Sequence, residues 1–270
     1  MKRRTMVQGV AAALLLPLLV PALSPLHQAF AAGTESGTES SPANSKGRVL
    51  ILGATGRIGR FIAETIYEAG YQVRGVTRNV ARAKSRISGD YEWVQADVRD
   101  PRTLVGPMSD VDYVVSSIRS SEWVGAYSPE MVDYHGMRNL VEAAKAAQVK
   151  HFVLISTATS GPQVDQSKNP AKNYVRHFKT KGEAVVRESG LSHTIIAPGR
   201  VPEEPGGKTG FILLARKDYY VSQITAGDIA LVTLDALTNP AARSKAFAMR
   251  NEPGVPLGAW RDQYADMPDK

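Results

Sequence analysis

From Arg48 onward, short continuous apolar runs alternate with amphipathic stretches. Arg48-Val49-Leu50-Ile51-Leu52 is apolar at successive positions and ends at a glycine, the pattern of a strand buried on both faces of a parallel sheet. Directly after it Ile58, Phe61, Ile62, Thr65 and Ile66 share one face at helical spacing, and Gly70 is placed to cap that helix. Further strands are predicted over 72–77, 92–95, 111–117, 151–156 and 193–197, with helices over 129–147, 169–188 and 226–237. Strands buried on both faces that alternate with helices predict an α/β fold: a doubly wound parallel sheet in a single Rossmann-type domain over 48–270, with a small C-terminal substrate-pocket region. In such sheets the ligand site lies at the carboxyl ends of the strands.

The first 47 residues follow no such pattern. Lys2, Arg3 and Arg4 precede an apolar stretch from about Val10 to Leu23, and Ala29-Phe30-Ala31 offers small residues at a cleavage site. Residues 1–31 therefore read as a signal peptide, with an uncleaved anchor as the alternative, although Pro17 and Pro21 interrupt the apolar stretch. The expectation is export to the periplasm. Adjacent Arg3 and Arg4 match in part a twin-arginine signal for folded cargo, and an ordinary secretory leader is the other reading. Residues 32–47 are rich in Gly, Ser, Thr and Glu and repeat Gly-Thr-Glu-Ser, a composition that predicts a flexible linker.

Charge and composition narrow the functional classes. The net charge of +7 falls to +4 without the leader, which holds three cations and no acid. The remaining basic residues are scattered, so nucleic-acid binding is not expected. Later in the chain no apolar run is long enough to cross a bilayer, so no membrane association is expected after cleavage. With no cysteine, disulfides and thiolate chemistry are excluded. After the leader only His135, His151, His177 and His193 remain, none at a metal-ligand spacing, so no metal is expected.

Gly53-Ala54-Thr55-Gly56-Arg57-Ile58-Gly59 joins the first strand to the first helix. Glycines here allow a tight turn, approach of the backbone to a pyrophosphate and close helix–sheet packing, while the helix start offers N–H groups to phosphate. Gly53, Thr55, Gly56, Arg57, Ile58 and Gly59 are thus candidate cofactor-binding residues. The second strand ends Val76-Thr77-Arg78, with no carboxylate for a ribose 2′-hydroxyl. Arg78, and Arg82 one turn later, suit a 2′-phosphate, which points to NADP(H) rather than NAD(H); the alternative is two solvated arginines. Asp97 and Val98, after the third strand, fall where adenine would lie, with Asp97 either an acceptor for its amino group or a turn residue.

The chain resembles the atypical short-chain dehydrogenase/reductase superfamily, in its NmrA-like NAD(P)H-binding branch. The resemblance runs from about Arg48 to Met249 and rests on segments 53–59, 132–145, 152–157, 179–183, 190–199 and 224–230. It implies a Ser or Thr after the fifth strand, matched by Ser156 and Thr157, and a Tyr-x-x-x-Lys pair, of which Lys179 is present. In that chemistry the lysine holds the nicotinamide ribose and lowers the tyrosine pKa, so that the phenol exchanges a proton as hydride moves. Here Val175 stands four residues before Lys179 and Tyr174 five before, which turns the phenol about 100° around a helix. Thr157, Tyr174 and Lys179 are the catalytic candidates, with His177 as an alternative acid.

Where the branch often has Arg-Pro-Gly, this chain has Ala197-Pro198-Gly199, and Pro198 is expected against the nicotinamide. Ser116 and Ser117 are expected to line the same site, and 119–128 and 200–220 to set specificity, the second as a mobile flap. Trp123, Tyr127, Phe211 and Tyr219 are candidate pocket walls. Two functions fit: an NADP(H)-dependent oxidoreductase passing hydride to a small carbonyl, quinone or flavin-like acceptor, or a non-catalytic NAD(P)(H)-binding sensor or assembly factor. Either is expected as a monomer or homodimer.

Overall fold

Val49, Leu50, Ile51 and Leu52 are all buried, as a strand covered on both faces requires. The computed structural model describes residues 46–162 and 173–268. Its strands are β1 Arg48–Leu52, β2 Gln72–Thr77, β3 Glu92–Gln95, β4 Tyr113–Ser116, β5 His151–Ile155, β6 His193–Pro198, β7 Phe211–Ala215 and β8 Lys245–Asn251. The helices are α1 Gly59–Glu68, α2 Val80–Lys84, α3 Met137–Ala146, α4 Tyr174–Glu188 and α5 Ala226–Ala236. One sheet of order β3-β2-β1-β4-β5-β6-β8-β7 results, parallel except for β7 against β8. Strand order reverses between β1 and β4, the switch point at which such sheets open a crevice.

Side-chain alternation along β1 divides the core in two. Val49 and Ile51 pack with Ile62 and Ile66 of α1 and Ile229 and Val232 of α5, while Leu50 and Leu52 pack with Leu140 and Val141 of α3 and Val186 of α4. This is the Rossmann-like arrangement that the alternating pattern predicts.

Several elements differ from expectation. The helix expected over 129–147 begins as a π-helix, Glu130–Gly136, before becoming α3. Its wide turn carries Asp133 into the interior, an irregularity without a local composition cue. The expected flap over 200–220 contains β7, where Phe211 stacks on Trp260 with centroids 5.4 Å apart, so this stretch is sheet edge rather than free loop. At the other end Lys46 and Gly47 already pair with Gly70 and Gln72 through the backbone, so the expected linker is tied down at its last two residues. The rest of 32–47, the signal peptide expected over 1–31 and the helix start expected at 169–172 lie outside the described residues.

Candidate functional site

A cleft of about 1280 Å³ runs along the carboxyl ends of β1, β2, β4, β5 and β6. Its floor is the turn between β1 and α1. Gly53 has φ +82°, and a Cβ there would come within 2.8 Å of the Ser117 carbonyl; a Cβ on Gly59 would overlap the Gly53 carbonyl. Side chains are therefore excluded at both positions, which brings the start of α1 close to the strand and leaves backbone facing the cleft. No side chain caps α1 and no acid lies in its first turn, so its N-terminal N–H groups suit an anion. This cradle fits a dinucleotide pyrophosphate, with Thr55, Gly56, Arg57 and Ile58 lining it.

At the β2 end the wall is cationic. Arg78, Arg82 and Arg86 line it without a carboxylate after β2. Asn79 caps α2 by accepting the Arg82 N–H at 2.9 Å, which orients this arginine-bearing turn. Tyr127 lies between two guanidinium groups, with Arg78 4.3 Å and Arg99 3.6 Å from its ring centroid. Asp97 accepts the Arg99 backbone N–H and side-chain Nε at 3.0 Å, a turn residue locked by its own ion pair. Burial disfavours its charge, but Arg99, with Arg78 nearby, holds the carboxyl below its ordinary range. Val98 lines the wall beside it.

The β5–β6 half is built differently. Ser117, Ser156, Thr157, Pro198, Gly199 and Arg200 line it. Beneath them Glu183 of α4 is fully buried. Its carboxylate accepts from Ser156 Oγ, from Ser160 Oγ at 2.5 Å, from Arg187 at 2.9 Å and from Arg216 at 3.3 Å. Burial opposes its ionisation, but Arg216 and the serine hydroxyls outweigh that and lower its pKa. Burial also lowers the pKa of Arg216, against the pull of Glu183.

Several expected site residues are not in this half of the cleft. Ser116 is fully buried as the last residue of β4, paired with Leu52 and Leu154, and does not line the cleft, whereas Ser117, just past the strand end, does. Lys179 lines a small hollow beside the cleft, sharing Ile118 and Ser156 with it, and its Nζ is 2.9 Å from Asp133 Oδ1. Tyr174 is the first residue of α4 and packs edge-on against Phe178 at 4.9 Å, outside the lining. His177 also packs on Phe178, and burial followed by Lys181 pushes its pKa down. Of the aromatic candidates only Tyr127 lines the cleft; Phe211 is core and Trp123 is exposed. Tyr219 places its hydroxyl 3.4 Å from the Ser222 N–H. No group of His, Asp and Glu suited to a metal occurs among the described residues.

The family model described as NAD(P)H-binding matches residues 53–240. The chain belongs to this NAD(P)H-binding family. Its family relatives include NAD(P)H azoreductase of Xenophilus azovorans, 28% identical over 206 residues that cover 74% of this chain and 66% of the relative. Sanguinarine reductase of Eschscholzia californica is 27% identical over 252 residues, covering 78% and 91%. A photosystem II assembly factor of Cyanophora paradoxa is 29% identical over 149 residues, covering 54% and 43%. Among solved structures, an oxidoreductase of Lactococcus lactis has the same fold, with a TM-score of 0.65 at 21% identity over 81% of this chain and 95% of that one. The NAD(P)H-binding oxidoreductase family thus supplies the nicotinamide cofactor class for the cleft, in agreement with the resemblance to atypical short-chain reductases.

Among the described residues the cleft is lined by six arginines, at 57, 78, 82, 86, 119 and 200, and one acid, Asp97. Of these, Arg57 is engaged by Glu203 at 2.7 Å and by the Val201 carbonyl. Glu183, Arg216 and Asp133 are the functional neighbours that sequence reasoning missed. The first two are separated by 33 residues, and only a buried acid in a helix and an arginine closing an apolar run mark them in the sequence.

Proposed function

We propose that the protein is an NADP(H)-dependent oxidoreductase that passes hydride to a small carbonyl, quinone or flavin-like acceptor. The observation that carries this reading is the sequence of surfaces along one cleft: arginines without a carboxylate after β2, a side-chain-free phosphate turn, then hydroxyls and Pro198 after β5 and β6. Bound nicotinamide cofactor supplies the hydride. Arg78, with Arg82 and Arg86 beside it, meets the 2′-phosphate with charge-assisted hydrogen bonds. Tyr127 holds the Arg78 guanidinium in place, which lowers the entropy lost on binding. Lys179, neutralised by Asp133, is a hydrogen-bond donor beside Ser156 rather than a free cation.

Thr157 offers its hydroxyl to the acceptor oxygen or nitrogen. Tyr174 is packed on Phe178, so the proton that follows hydride comes from water in the open cleft. That favours quinone and flavin-like acceptors, which tolerate delayed protonation, over simple carbonyls. The test is NADPH oxidation against a panel of quinones, flavins and aldehydes, with deuterium at the transferred position followed into product. Binding of NADPH with no oxidation by any acceptor would instead support the sensor or assembly reading, which the displaced Tyr174 favours. Export by the leader is part of the same proposal, tested by N-terminal sequencing of exported protein and by changing Arg3 and Arg4 to Lys.

A further inference from the structure

Two walls of the β5–β6 half are held by one segment that never enters the cleft. Arg216 follows β7 directly, and its Nη2 donates to the Thr157 carbonyl at 2.9 Å and to the Ser160 carbonyl. The same guanidinium faces the Glu183 carboxylate, which in turn takes the Ser156 hydroxyl. Three residues on, the Tyr219 hydroxyl lies against Gly199, where an added Cβ would overlap it. Arg216 thus fixes the loop after β5, and Tyr219 abuts the loop after β6. Arg216 is only 8% exposed and does not line the cleft.

Stability alone is a poor explanation for such a pair. A buried ion pair is often neutral or unfavourable compared with apolar residues of the same volume. What charge and planar geometry add here is direction: a guanidinium fork can hold two carbonyls and a carboxylate at fixed angles, which neither lysine nor an apolar side chain can do. Those carbonyls belong to Thr157 and Ser160, on either side of the loop that presents the Thr157 hydroxyl.

We propose that Arg216 is a positioning residue, held by Glu183, that fixes the Ser156–Thr157 loop against the nicotinamide half of the bound cofactor. This rests on the oxidoreductase reading for its kinetic consequence, but not for its effect on binding. Since the glycine turn takes the pyrophosphate and the end of β2 takes the adenosine ribose, the nicotinamide half falls towards β5 and β6. Arg216 therefore acts on one half of the dinucleotide and leaves the other alone.

The test uses the double variant Glu183→Gln/Arg216→Gln, which removes the pair's two charges together and leaves Arg187 an amide oxygen at position 183 in place of the carboxylate it now meets at 2.9 Å. NADP+ and adenosine 2′,5′-bisphosphate, the adenosine half alone, are titrated against wild type and variant. Expected is a loss of about five-fold or more in NADP+ affinity with the bisphosphate unchanged within about two-fold, and, where turnover is found, a fall of at least about ten-fold in kcat. Wild-type binding and turnover in the double variant would overturn the proposal, since charge balance would then be the pair's whole role. Parallel loss of both ligands would also overturn it, by showing a general scaffold. If the double variant does not fold, Arg216→Lys, which keeps the charge but not the fork, is read by the same two titrations. A wild type that binds NADPH but passes hydride to none of the acceptors tested would sink the oxidoreductase reading and leave the binding comparison intact.

Discussion

The two halves of the cleft solve the same problem, holding groups in place for a ligand, by opposite means. On the β2 side the polar groups are exposed or half-buried and borne by adjacent turns: Arg78 and Arg82 follow one strand, and Asp97 is locked by Arg99 two residues away. On the β5–β6 side the groups at the surface, Arg200 apart, are small and neutral, and the Ser156–Thr157 loop is held by buried charges on distant segments, Glu183 on α4 and Arg216 after β7. The first half is therefore expected to lose a side chain at little cost in stability, and the second at a large one, because its buried charges depend on one another.

The largest effect should follow from removing the acid of the buried network. Glu183→Ala leaves Arg187 and Arg216 without their carboxylate and is expected to cost about 3–5 kcal/mol in urea unfolding. A loss below about 1 kcal/mol would erase the contrast between the halves.

A second buried group, at the opposite end of the sheet, sharpens the comparison through pH. His151 is 2% exposed and its ring nitrogens meet Ser192 Oγ at 2.8 Å and Thr194 Oγ1 at 2.9 Å. Burial, followed by His193 and Arg243 nearby, pushes its pKa down to about 4. The unfolded chain binds this proton near pH 6.5 and the folded one only near 4, so the stabilisation is complete above pH 6.5 and is lost as pH falls from there to 4. The total is about 3 kcal/mol. Unfolding free energy of wild type and His151→Asn measured across that range should converge at low pH; parallel curves would contradict the assignment.

On the β2 side, Arg78→Ala should leave stability within about 0.5 kcal/mol of wild type and weaken NADP+ binding by roughly 1.5–3 kcal/mol, with NAD+ nearly unchanged. Calorimetric titration of both cofactors checks it, and equal losses for the two would remove the 2′-phosphate role. The smallest effect is expected at Glu203, which engages Arg57 at 2.7 Å and Arg60 at 2.9 Å on the surface. Glu203→Gln should change stability by less than about 1 kcal/mol and tighten NADP+ binding slightly, because Arg57 in the phosphate turn loses a competing carboxylate. Weaker binding would mean that Glu203 serves the cleft by holding the loop after β6.

The contrast also explains what could be read from the sequence. The glycine turn, the missing carboxylate after β2 and the order of strands are local patterns, and the dinucleotide half was legible from them. The second half depends on contacts across long separations: Lys179 meets Asp133 46 residues away, and Arg216 reaches Thr157 across 59. Asp133 is buried within the π-helical turn that leads into α3, which no composition cue announces. The difference between Ser116 and Ser117 depends on where β4 ends: Ser116 is its last paired residue and is buried, and Ser117 beyond it reaches the cleft. Strand β7 was hidden by the Gly and Pro residues ahead of it, although Phe211-Ile212-Leu213-Leu214 is as apolar as β1.

The central claim is that this family cleft takes the phosphorylated dinucleotide. Direct titration of the purified wild-type protein with NADPH and NADH under identical low-salt conditions tests it, since exposed arginines bind phosphate most strongly there. The account predicts NADPH tighter by at least about ten-fold, the ratio expected from one charge-assisted phosphate contact. Equal affinities, or a preference for NADH, would contradict it.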